Sequence, residues 1–96
     1  MEKQGFLYIL ANASRHIYIG STPNLAGRPH QHRMKLIPGF TRDHNMTMLV
    51  WYEESPTIRD MVAREREWKG WRREKKVALI EAMNPGWRDL AAEWRE

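Results

Sequence analysis

The sequence contains no cysteine. That absence excludes disulfides, a thiolate nucleophile and cysteine-based zinc sites, and it suits a reducing compartment. Long apolar runs are missing too: the run at residues 6–10 falls far short of the roughly twenty residues of a membrane span. Met1-Glu2-Lys3-Gln4 leads straight into that run, without the longer apolar stretch and small-residue cleavage site of a secretory signal. The expectation is a soluble cytoplasmic protein with no membrane partner. There is no internal repeat, no Walker-type phosphate loop and no Gly-x-Ser-x-Gly elbow. His16, His30 and His44 lack metal-ligand spacing such as the His-Glu-x-x-His helix, and they receive no role.

What is present fits one domain, residues 1–96 with a core at about 5–90. A composition of 42% hydrophobic and 29% charged residues argues against disorder. The net charge of +4 suits an anionic partner. Its distribution is more informative. Arg64, Arg66, Lys69, Arg72, Arg73, Lys75 and Lys76 lie close together, against Glu65, Glu67 and Glu74. This stretch reads either as a nucleic-acid surface or as a solvated helix face with i,i+4 pairs such as Glu65–Lys69.

Residues 6–10 and 17–20 are short, aromatic and β-branched, and Asn12-Ala13-Ser14 supplies turn residues between them; together they predict a hairpin. Alternation then places Tyr8 with Phe6 and Leu10, and Tyr18 with Gly20. Thr22-Pro23 reads as a helix start, followed by Leu25, Arg28, His32 and Leu36 close to one face, with Pro29 as a kink or a later start. Residues 46–52 predict a third strand whose apolar residues on both faces imply a sheet covered on both sides. Ser55-Pro56-Thr57 opens a helix over 58–72, a second helix covers 74–83, and Trp87, Leu90, Ala91 and Trp94 suggest a short amphipathic helix after the Asn84-Pro85-Gly86 turn. The predicted class is α+β: a small three-stranded antiparallel sheet flanked by helices, in the order β-β-α-β-α-α with a short C-terminal helix.

Glu65 stands out. It lies seven residues after Ile58 and between Val62 and Trp68, near the centre of an apolar helix stripe. A carboxylate there requires a partner. Either it pairs with Arg28 or another base, or it holds a cation; Mg²⁺ takes one or two protein carboxylates and completes its shell with water and phosphate. Arg28 and His32, four apart, share one helical face, either as an exposed pair or as a phosphate fork beside a proton relay. Tyr8 and Tyr18 read as cross-strand packing or as phenols that orient a water.

Taken in order, these residues resemble the GIY-YIG nuclease superfamily, in particular its compact single-domain bacterial members. The first motif stands as Phe6-Leu7-Tyr8 and the second is intact as Tyr18-Ile19-Gly20. Asn24-Leu25 with Arg28 and His32, then Gly39-Phe40-Thr41, Leu49-Val50-Trp51-Tyr52-Glu53, Ala63-Arg64-Glu65, Lys69 and Trp71, Lys75-Lys76 and Asn84-Pro85 continue the match. The resemblance implies a DNA endonuclease that hydrolyses phosphodiester bonds with one divalent cation, Mg²⁺ or Mn²⁺, and a site of Tyr8, Tyr18, Gly20, Arg28, His32 and Glu65. In it the tyrosines place or deprotonate the attacking water, Arg28 binds the scissile phosphate and His32 hydrogen-bonds a tyrosine. Glu65 holds the metal, and Gly20 allows close approach. Arg64, Lys69, Arg73 and Lys76 would bind the nucleic acid. Pro29 and Gly70 depart from the pattern, standing where members carry a helix-compatible residue and a second lysine. The resemblance also implies DNA, branched or damaged, as the substrate, and a partner protein for targeting in repair or recombination. Two other functions remain open at this point: a nucleic-acid-binding module that keeps the fold without cleavage, and an interaction subunit using the Trp87–Trp94 surface.

Overall fold

Three short apolar runs, buried at most positions on both faces, build the sheet. The computed structural model describes residues 5–23 and 46–94; in it β1 is Gly5–Ala11, β2 is Ile17–Thr22 and β3 is Met48–Ser55. The strand order is β2-β1-β3, and both pairings are antiparallel. The register sets Tyr8 opposite Gly20 on one side and opposite Tyr52 on the other. The predicted hairpin is present. Its turn closes through the Asn12 carboxamide, whose Oδ1 accepts from the His16 backbone N–H at 2.9 Å. Arg15 takes a left-handed φ of 62° there.

The sheet has apolar residues on both faces, as the third strand suggested. Leu7, Ile9, Ala11, Ile19, Val50 and Trp51 pack against the helices. Tyr8, Leu10 and Leu49 form the opposite face with Met46 and Ala91. A register shift between Ile9 and Leu10 skips Val50. This bulge lets the neighbours Val50 and Trp51 both join the helix-side core, which strict alternation forbids.

Helix α1 spans Ile58–Lys69. Thr57 caps it, its Oγ1 accepting from the Asp60 N–H at 3.0 Å. Met61 and Trp68, seven residues apart, are the buried residues of its inner stripe. Trp68 meets Trp51 edge-to-face at 4.8 Å and tilts against Trp71 at 5.6 Å. The helix stops at Gly70 rather than running to 72, because glycine is a poor helix former. Helix α2, Arg73–Met83, buries Ile80.

The bounds of the elements differ in detail from the expectation. Thr22 is a buried β2 residue opposite Phe6, since the ladder continues two residues beyond Gly20, and the helix it was expected to cap lies outside the described residues. The third strand starts later and runs on to Ser55. The expected short C-terminal helix is present as a 3-10 helix, Leu90–Trp94. Trp87 takes φ 53° before it, and Asp89 Oδ1 accepts from both Leu49 N and Ala91 N at 3.1 Å, fastening the turn to β3. The helix expected between the second and third strands lies outside the described residues, and with it Arg28, Pro29 and His32. Among the described residues no helix is long and apolar enough to cross a membrane.

Candidate active site

The central strand carries Tyr8 and the edge of the described sheet carries Tyr18 and Gly20. Tyr18 lies with Gly20, as alternation predicted, and the antiparallel register puts both on the face of Tyr8, away from α1 and α2. Tyr8 is 2% exposed and Tyr18 half-buried, with ring centroids 6.4 Å apart. Tyr52, opposite Tyr8 on β3, extends the row to three tyrosines. Gly20 is the floor beneath Tyr8. A Cβ at position 20 would overlap the Tyr8 ζ carbon and hydroxyl, and would lie 2.9 Å from Cε1. The glycine is thus required by the close approach of a ring to a strand.

Glu65 approaches the same strand from the other side. It sits on α1 between the buried Met61 and Trp68, and its side chain is 22% exposed. Its Oε1 accepts a hydrogen bond from the Ser21 hydroxyl, and its Oε2 meets the Lys69 ammonium at 2.9 Å. The carboxylate therefore pairs with another base, the i,i+4 lysine, rather than standing unpartnered in an apolar stripe. Ser21 immediately follows Gly20, so Glu65 and the tyrosines flank one strand from its two faces. A depression of about 260 Å³ runs along this edge, lined by Ile17, Tyr18, Ile19, Lys69 and Lys76. Sequence reasoning missed Ser21. Alternation could have found it, because it falls on the Ile17–Ile19 face, where a hydroxyl among apolar residues needs a partner.

Among the described residues, no three His, Cys, Asp or Glu side chains converge. A carboxylate offers about four lone-pair positions, and among the described residues Glu65 has one partner on each oxygen. It fits a cation such as Mg²⁺, which needs few protein carboxylates. The other basic residues are placed differently. Arg64 makes a two-pronged pair with Glu53, at 2.8 and 3.2 Å, and lies 4.9 Å over the Trp68 ring. Arg73 donates to the Arg15 carbonyl at 2.8 Å, tying α2 to the hairpin turn. Lys76 stays at the depression with Lys69. Asn84 is structural: its Nδ2 donates to Val50 O at 3.1 Å and Arg88 O at 2.7 Å, and its Oδ1 accepts from Arg88 N at 3.0 Å. Trp87 is buried, with its indole N–H donating to Glu81 at 2.9 Å, so it belongs to the core. The Trp94 side chain lies outside the described residues.

Comparison with known proteins agrees with this fold. The solution NMR structure of a UPF0213 protein from Bacillus halodurans shares the fold at a TM-score of 0.57 and 23% identity, over 90% of this chain and 92% of that one. No curated protein gives a significant match. The profile of the GIY-YIG catalytic domain matches residues 4–78, which include both tyrosine strands and the Glu65 helix, and the chain belongs to the GIY-YIG nuclease family.

Proposed function

We propose that this chain is a single-domain, cytoplasmic, metal-dependent endonuclease that hydrolyses DNA phosphodiester bonds. One observation carries the reading: the Glu65 carboxylate is hydrogen-bonded to the residue that follows Tyr18-Ile19-Gly20, beside an edge lined by Lys69 and Lys76. Family membership supports roles for Arg28 on the scissile phosphate and for His32 as the hydrogen-bond partner of a tyrosine. Tyr8 and Tyr18 orient the attacking water, and Gly20 keeps the Tyr8 hydroxyl end close to the strand. Glu65 holds Mg²⁺ or Mn²⁺, and such a cation polarises a phosphate and stabilises the leaving oxygen. Lys69 and Lys76 bind flanking phosphates; Arg64 and Arg73, engaged by Glu53 and the Arg15 carbonyl, contribute less. Branched or damaged DNA in repair or recombination, reached with a targeting partner protein, suits a domain this small.

The test is cleavage of single-stranded, duplex, flapped and branched DNA by the wild type and Glu65→Ala, with Mg²⁺, Mn²⁺ or EDTA. Metal-dependent nicking that disappears in the variant, with its fold retained, is the expected result. Unchanged nicking by Glu65→Ala removes the assignment. A second reading is a binding module without cleavage, favoured by the Lys69 ammonium already seated on Glu65. Salt-dependent DNA binding that needs no metal, with every substrate left intact, selects it.

A further inference from the structure

The two oxygens of Glu65 have partners of different kinds. Ser21, from β2 and 44 residues away in sequence, supplies a neutral hydroxyl from a half-buried position. Lys69, one helical turn along α1, supplies a full positive charge from a side chain that is 51% exposed. A hydroxyl can keep donating to a carboxylate that also ligates a metal, in the manner of outer-shell partners that orient metal ligands. Beside a divalent cation on the same carboxylate an ammonium is repelled, because like charges at such distances raise each other's energy.

We infer that Lys69 is a built-in place-holder for the cation, displaced from Glu65 when the metal enters and transferred to a phosphate of the nucleic acid. This rests on the reading of Glu65 as the metal ligand. The destination is next to the lysine: Lys69 and Lys76 line the same depression along residues 17–19. Lysine is a flexible four-carbon stem with three rotatable donors, suited to exchanging one anionic oxygen for another. At about 260 Å³ the depression is several times the roughly 30 Å³ share of one water, so it has room for a hydrated phosphate edge. Ser21 is the positioning residue that keeps Glu65 aimed while its other oxygen changes partner. Metal entry then releases a cation toward the strand, so metal and nucleic acid strengthen each other's binding, by the reciprocity of linked equilibria.

The experiment measures Mn²⁺ affinity by electron paramagnetic resonance, without nucleic acid, for the wild type and single variants. Lys69→Met is expected to bind about two- to fivefold tighter, the loss of an exposed ion pair. Lys75→Met, which removes the same charge from over the Trp71 ring, is expected to match the wild type. Ser21→Ala is expected to bind at least about tenfold weaker, with Ser21→Thr restoring most of the affinity. A phosphorothioate oligonucleotide then reports the transfer: Mn²⁺ steepens the salt dependence of binding by about one phosphate contact in the wild type and leaves Lys69→Met unchanged. Equal or weaker Mn²⁺ binding by Lys69→Met overturns the place-holder, as does a salt slope that Mn²⁺ does not alter. Wild-type Mn²⁺ affinity in Glu65→Gln is a separate failure, that of the ligand assignment itself.

Discussion

An alanine at position 20 would put its methyl group inside the end of the Tyr8 ring. Ordinary contact begins at 3.4 Å, so the ring end must retreat by about 1 Å, a small-to-large change inside packed structure. Tyr8 has little room to do so. It is 2% exposed, in the central strand, with Leu10, Leu49 and Met46 in the same cluster. Either the ring leaves its rotamer or β1 and β2 spread, and such overpacking costs about 1–3 kcal/mol. For a domain of this size each kcal/mol lowers Tm by about 4–8 °C, so Gly20→Ala is expected to lose roughly 5–20 °C. Cleavage falls with it, because the Tyr8 hydroxyl is the displaced atom. Calorimetry and the cleavage assay read both effects. In a Tyr8→Leu background the ring is gone and the alanine should cost much less, leaving a coupling energy of about 1 kcal/mol or more in the double-mutant cycle. Wild-type Tm and wild-type cleavage in Gly20→Ala would refute the close-approach argument.

Trp68→Ala removes a side chain that is 1% exposed and seated against Trp51; a loss of about 3–5 kcal/mol is expected in urea unfolding, enough to leave a small domain barely folded. Asn84→Ala leaves the Val50 and Arg88 backbone groups without their carboxamide partner, and denaturant midpoints should report about 1–3 kcal/mol for each group left unsatisfied. Lys76→Met, at the depression beside β2, should weaken DNA binding to a similar degree for different sequences and reduce the salt slope by about one. An unchanged slope would remove Lys76 from the interface.

The strands and helices were legible where a period was strong and punctuation was clear. Alternation in residues 6–10 and 17–20 set the faces of Tyr8, Tyr18 and Gly20. Ser55-Pro56-Thr57 located the start of α1, and the cap is Thr57. Boundaries were less legible, because a strand stops when its partner does. The second run was legible to Gly20, yet pairing with Phe6 carries β2 on to Thr22. The short helix after Trp87 was legible in its composition and is a 3-10 helix; its tether to β3 through Asp89 is a long-range bond that no local pattern carries.

The sequence by itself determined the α+β class, the pairing of Tyr18 with Gly20 on one strand face and the presence of an awkward carboxylate on the apolar side of a helix. Those depend on spacings within one element, which the chain encodes locally. Only the tertiary structure decided what Glu65 touches. Its partners are one residue four positions away and another 44 positions away. The first is a matter of helix geometry and could be listed as a pair in advance. The second exists because α1 crosses β2 at Ser21, and a crossing is set by how two apolar faces pack, not by either segment alone. The same packing of helices on the sheet set Lys69 and Lys76 beside Tyr18, and Arg64 and Arg73 against Glu53 and the hairpin turn.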